Sequence, residues 1–244
     1  MISLQKKTLF IHVPKTGGAS LNKLFVNNLI DRKIENSLHK EMTQSKRLVQ
    51  KKPNLHSTYR ELSERFKIYN NSIEDFFIFS CVRNPWDRAL SAYKYFMYKI
   101  LDSPWKQKNI SKSSFLRFKD YILYDNFETK GFTISVSKGG GLPVNFSGEY
   151  NWFNDILKKP QVHFLKNHFG KIDIDFIMRF ENYENDYLKL CNLLNIKDKS
   201  IIHNNNTRPT KTKNSYKDFY DNDFKKFISK QYEEDIDTFK YTFD

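Results

Sequence analysis

From Thr8 to Ser20 the chain reads Thr-Leu-Phe-Ile-His-Val-Pro-Lys-Thr-Gly-Gly-Ala-Ser, and no other stretch limits its fold so strongly. The apolar run Thr8 to Val13 has the character of a strand. Pro14, Lys15, Gly17 and Gly18 interrupt it, and a helical pattern from Leu21 to Ile30 follows. The order is therefore strand, phosphate-sized loop, helix. Glycines let backbone N–H groups turn toward one point, the helix start adds a partial positive charge, and Lys15 adds a full one. An anion is the expected occupant. The nucleotide-hydrolysing loop G-x-x-x-x-G-K-[ST] places its Lys and magnesium-binding hydroxyl after the second glycine, whereas here Lys15 precedes both.

A chain of 244 residues with 39% hydrophobic content can bury one good core, which favours a single domain over 1–244. Lys and Arg number 41 against 28 Asp and Glu, a formal charge of +13, which directs attention to anionic partners. A coding bias toward Lys, Asn and Ile accounts for Lys-rich faces equally well. The two cysteines, Cys81 and Cys191, lie in a strand-like and a helix-like run and read as small buried hydrophobes in a reducing compartment. The N-terminus leads almost directly into the first strand with no room for a signal peptide, and no window approaches a membrane span. The expectation is a soluble, cytoplasmic protein.

Further along, 31–52 is polar and basic with weak helical spacing, and Pro53 stops it. In Leu55-His56-Ser57-Thr58-Tyr59-Arg60-Glu61, Thr58 and Glu61 have the spacing of a capping box, which puts His56 on a loop at a helix entry. The continuous apolar run Phe76–Val82 has the signature of a strand covered on both faces and delivers Arg83 at its C-terminal end. Asn84 and Pro85 then open a helix whose Trp86, Leu90, Tyr93 and Met97 share a face. The stretch of about 100–155, including Gly139–Gly141, reads as a substrate-facing insertion. Gln161–Leu165 and Asp175–Phe180 read as two more strands, Tyr183–Leu194 as a helix, and Asp221–Glu234 as the last helix. Alternating strands and helices predict an α/β, three-layer α/β/α domain with a largely parallel central sheet.

Val82-Arg83-Asn84-Pro85-Trp86-Asp87-Arg88-Ala89-Leu90-Ser91-Ala92-Tyr93 offers a second anion site. Arg83 presents a planar fork at a strand end and Ser91 a hydroxyl on the next helix, both at the carboxyl edge of the sheet. The alternative for Arg83 is an ion pair at the helix start. Pro14-Lys15-Thr16-Gly17-Gly18-Ala19-Ser20 resembles the 5'-phosphosulfate loop of sulfotransferases that use 3'-phosphoadenosine 5'-phosphosulfate (PAPS), and the Arg83/Ser91 pair resembles their 3'-phosphate motif. The resemblance extends to bacterial sulfotransferases akin to the heparan sulfate 2-O-sulfotransferases, through Leu55–Thr58, Arg179-Phe180-Glu181, His203–Thr207 and the tail Asp235–Phe243. In two places the chain departs from that pattern: Ala19 stands where the family usually carries Thr, and Leu55 where it carries Lys.

The resemblance implies a fold related to the P-loop nucleotide-binding proteins and transfer of a sulfuryl group from PAPS to a hydroxyl. Lys15 would stabilise the leaving phosphate. Thr16, Gly17, Gly18, Ala19 and Ser20 would hold the 5' end, Arg83 and Ser91 the 3'-phosphate, and Arg208 and Lys211 are candidates to close over the nucleotide. His56 would be the general base, since an imidazole accepts a proton near neutrality, with His12, His163 and His203 as competitors. No metal is expected. The relatives suggest a carbohydrate acceptor, and the net charge suits an anionic glycan. A nucleic-acid-binding module fits the charge but explains neither loop, so no nucleic acid partner is expected. Ala19 and Leu55 keep open a catalytically inactive relative that only binds nucleotide or glycan.

Overall fold

The computed structural model describes residues 1–29, 56–68, 72–100, 158–200 and 215–244. The excursion at 31–52, Leu55, the insertion at about 100–155, and His203, Arg208 and Lys211 lie outside the described residues.

Among the described residues, four strands form a mixed sheet in the order β1 (Ile2–Ser3), β2 (Thr8–Ile11), β3 (Phe77–Val82) and β4 (Phe176–Arg179). β2, β3 and β4 are parallel, with Leu9 opposite Ile78 and Phe79 opposite Phe176. The sequence pattern predicted these three. It did not predict β1, which runs antiparallel to β2 with Ile2 opposite Leu9. Two residues are too few to show a periodicity, and the polar turn that follows conceals the hairpin; Lys7 closes that turn at φ 46°.

Side chains alternate across the sheet. Leu9, Ile11, Ile78 and Val82 enter one cluster of buried apolar residues, while Phe10, Phe79, Cys81 and Met178 enter another. Helix α1 (Gly18–Asn28) contributes Leu21 and Leu24 to the second cluster, and α5 (Tyr183–Leu193) adds Tyr187, Leu190 and Cys191. The first cluster draws on α2 (Tyr59–Ile68), α3 (Pro85–Ile100), α4 (Gln161–Leu165), α6 (Asn222–Gln231) and α7 (Glu233–Phe239). Both cysteines are buried and unbridged.

The predicted caps form. Thr58 N–H donates to Glu61 Oε2 at 2.8 Å and Glu61 N–H donates to Thr58 Oγ1 at 3.2 Å, closing the box that opens α2. Trp86 N–H donates to Asn84 Oδ1 at 3.1 Å at the start of α3, and Trp86, Leu90 and Tyr93 are buried on one face.

Two assignments are corrected. Gln161–Leu165 is a helix, not a strand. A five-residue apolar run fits either period, and the choice is made by a carboxylate far along the chain: Asp235 accepts from Gln161 N–H at 2.8 Å and from Val162 N–H at 2.9 Å. The last helix is really two, α6 and α7, joined at Tyr232 with φ −122° and ψ 31°. That joint lets Asp235 reach the start of α4.

Candidate functional site

Parallel pairing brings the carboxyl ends of three strands to one edge, with Ile11 level with Ser80 and Val82 level with Arg179. The loop after β2 and the turn after β3 therefore emerge side by side. Lys15 has φ 67° and Gly17 φ 89°, while Thr16 between them stays at negative φ. Alternation of this kind is how successive backbone amides form an anion-binding concavity. A left-handed lysine is costly, by about 1–2 kcal/mol, and tertiary contacts hold it in place. Arg83 Nη1 donates to the Lys15 carbonyl at 3.2 Å, Arg88 Nε donates to the Pro14 carbonyl at 3.1 Å, and Thr16 Oγ1 donates to the Val13 carbonyl at 2.9 Å.

The two glycines serve different ends. Gly17 is needed for its positive φ, and a Cβ there would also press on the Phe180 ring at 3.0 Å. Gly18 begins α1 without positive φ; a Cβ there would lie 1.9 Å from His12 Nε2. Gly18 is thus fixed by close approach to a histidine. Ala19 and Ser20 follow it in the first turn of α1, half-buried.

The Lys15 ammonium is held well below its ordinary range, at about 7, first because burial strips its water and then because the Arg83 charge opposes it. Arg83 does make the helix-start ion pair, Nε to Asp87 Oδ2 at 2.8 Å, and its guanidinium lies 4.0 Å from the centre of the Phe180 ring. Its main chain is clamped by Gln161, which accepts from Arg83 N–H at 2.8 Å and donates from Nε2 to the Arg83 carbonyl at 2.8 Å. Ser91 lies about two turns into α3, half-buried.

His56 stands beside the Lys15 loop, its Nδ1 3.0 Å from the main-chain carbonyl of His12. A carbonyl only accepts, so Nδ1 carries the proton and Nε2 is the basic nitrogen of the neutral ring. Burial depresses its pKa, the hydrogen bond to His12 pulls the other way, and the charges of Arg88 and Lys15 depress it further. His56 is neutral at pH 7. His163 lies on α4, where burial and then Lys159 and Arg60 lower its pKa. His12 is buried, its ring 4.5 Å from that of His56.

Several residues beside these loops were missed by sequence reasoning. Arg88 is 1% exposed and ties the Lys15 loop to α3, also donating to the Lys159 carbonyl at 3.1 Å. Glu181 accepts from Asn84 N–H and from Tyr241 Oη, and Gln161 and Asp235 complete the frame. For Arg88 a signal existed, a charge in the apolar helix between Arg83 and Ser91. The others depend on long-range contacts that no local pattern announces.

The fold and this edge define an α/β protein with a glycine-bearing anion loop and an arginine-bearing turn set side by side at the ends of parallel strands. The sequence model of the sulfotransferase family matches residues 1–242, and the chain belongs to that family. It is a sulfotransferase, an enzyme that moves a sulfuryl group to an acceptor. No curated protein and no solved structure matches the chain. No helix among the described residues is long and apolar enough to cross a membrane.

Proposed function

We propose that this enzyme transfers the sulfuryl group of PAPS to a hydroxyl of a carbohydrate acceptor, by in-line displacement with His56 as general base. The fold that goes with this reading is a three-layer α/β/α sheet of the P-loop-related kind, in one domain, and its compartment is the cytoplasm. The observation that carries it is the hydrogen bond from Arg83 to the Lys15 carbonyl, which sets a second cation beside the first loop. One anion loop suits any phosphate. Two neighbouring sites suit a nucleotide carrying phosphate at both ends.

In this reading Lys15 and the loop Thr16, Gly17, Gly18, Ala19 and Ser20 take the 5'-phosphosulfate, and Arg83 and Ser91 take the 3'-phosphate. Arg208 and Lys211 are the further basic residues assigned to the nucleotide. The bound donor supplies the sulfuryl group and the phosphate that leaves. As the acceptor oxygen attacks sulfur, its proton passes to His56 Nε2, while Lys15 neutralises charge growing on the leaving phosphate oxygen. Binding the donor anion restores the Lys15 proton that burial disfavours. The acceptor assignment rests on the +13 charge, which suits an anionic glycan, and on the family resemblance.

Thermal denaturation with adenosine 3',5'-bisphosphate, magnesium-ATP and a random oligonucleotide tests the reading. The bisphosphate at a hundred times its Kd should stabilise the protein by about 2.7 kcal/mol, and more than either rival. Preference for magnesium-ATP or for the oligonucleotide would sink it. A panel of sulfate-free glycans with labelled donor tests the acceptor, and transfer only to non-sugar hydroxyls would overturn that part.

A further inference from the structure

His12 takes no part in the proposed proton transfer, yet it forms one half of an arrangement with His56. It lies just past β2, 8% exposed, and its ring stacks on Phe10 with centroids 5.4 Å apart; Phe10 in turn stacks on Phe79 at 5.0 Å. On its other side the His56 ring lies 4.5 Å away, tilted by 51°. Four rings thus run in a row from the sheet core to the proposed base. At the edge of this row stands Gly18, where a Cβ would fall 1.9 Å from His12 Nε2 and 2.1 Å from Cδ2. The backbone that opens α1 is therefore flush against the His12 imidazole, and the ring has no room to tilt toward the loop.

The position is an expensive one for an imidazole. Among the described residues His12 Nδ1 is buried without a hydrogen-bond partner, an arrangement an apolar ring would avoid. Size explains the choice. A five-membered ring fits between Gly18 and His56, whereas a phenyl ring adds a carbon where Gly18 is already in contact, and an aliphatic side chain presents no flat face to His56.

We propose that His12 is a positioning residue for the transfer: its imidazole is the wedge between Gly18 and His56 that keeps the His56 ring on the His12 carbonyl, with Nε2 as the basic nitrogen. This deepens the reading of His56 as base and rests on it. It also makes the donor loop and the base one unit, because Gly18 belongs to the loop and touches the same ring that supports His56. A change of backbone at Gly18 is transmitted to the base through His12.

The test is side-chain nitrogen NMR on the histidine-labelled protein, with His56 assigned by loss of its signals in His56→Gln. Wild type should show His56 as a neutral ring protonated on Nδ1, the form that free imidazole side chains disfavour. In His12→Ala, and equally in Gly18→Ala, which drives a methyl group into the His12 ring, the two nitrogen shifts of His56 should move toward the average of both tautomers. Where an alanine variant fails to fold, His12→Asn, which shortens the wedge but keeps a planar group, decides in the same way. An unchanged Nδ1–H spectrum of His56 in the folded variants overturns the proposal. Calorimetric titration of the same samples with adenosine 3',5'-bisphosphate separates the two ideas. Absence of binding by wild type counts against the assigned donor, while the spectra of the unliganded protein still decide the relation between His12 and His56.

Discussion

Arg83 Nη1 donates to the main-chain carbonyl of Lys15 at 3.2 Å across 68 residues of sequence, so the cation after β3 holds the backbone of the loop after β2. The same guanidinium pairs through Nε with Asp87 and lies over Phe180. Its plane is thereby fixed before any ligand arrives, which lowers the ordering cost of binding.

Replacing Arg83 with Ala removes the tie to Lys15 together with the charged donor that the proposed 3'-phosphate site requires. Affinity for adenosine 3',5'-bisphosphate should fall by about 2 kcal/mol, roughly 30-fold in Kd. Isothermal titration measures it. Adenosine 5'-phosphate, lacking the 3' group, should lose less. Equal losses for the two ligands would remove Arg83 from the 3' site.

Lys15 gives binding a pH dependence of definite sign. In the free protein its ammonium is held at about 7, by burial first and Arg83 second. A bound anion favours the protonated form and raises that value, so binding takes up a proton between the free and bound pKa. Bisphosphate affinity should be flat in this respect below pH 7 and fall above it, by at most about tenfold per pH unit for one proton. Titrations in buffers of different ionisation enthalpy would reveal the uptake, and Lys15→Met should abolish it.

His56→Gln should reduce turnover by about 10²–10⁴-fold, the usual worth of a general base, with bisphosphate affinity nearly retained. Burial and the nearby Arg88 and Lys15 charges set its pKa below the ordinary 6.5, and the N-terminal ammonium adds to this. The neutral, active ring therefore persists to lower pH than a solvated histidine would, and the acid limb of the kcat/KM profile, which reports the free enzyme, should fall below 6.5. An acid limb above that value, or full turnover in the glutamine variant, would assign the proton to another group.

Asp235 is buried and caps α4, the helix whose Gln161 clamps the Arg83 main chain. Asp235→Ala leaves the Gln161 and Val162 N–H groups without their acceptor and leaves the buried Arg88 charge less compensated, at a cost of about 3 kcal/mol. Urea unfolding should show a lower midpoint at unchanged slope. Asp235→Asn, which keeps one acceptor oxygen, should cost less.

Much of the fold is legible locally. Phe77–Val82 reads as a two-faced strand because five of its six residues are apolar, broken only by the small Ser80, and α2 announces itself because Thr58 and Glu61 lie within one turn of each other. The errors fall where the deciding partner is remote. Gln161–Leu165 reads as a strand until Asp235 caps it, and the tail reads as one helix until Tyr232 divides it. The same division runs through the site. Lys15, Gly17, Arg83 and His56 stand out as residue types in recognisable company, whereas Arg88, Gln161 and His12 act through backbone carbonyls and ring contacts. Such contacts have no residue-type signature.

By itself, then, the sequence determined the alternation of strands and helices, the loop with its lysine and glycines, and the family, because spacing, caps and motifs are properties of neighbours along the chain. The tertiary structure decided the rest. Parallel pairing puts the ends of β2 and β3 at one edge, so Arg83 meets the Lys15 backbone and His56 meets the His12 carbonyl. Burial at that edge then depresses the pKa of Lys15 and of His56, because desolvation is set by what packs around a group rather than by what adjoins it in sequence.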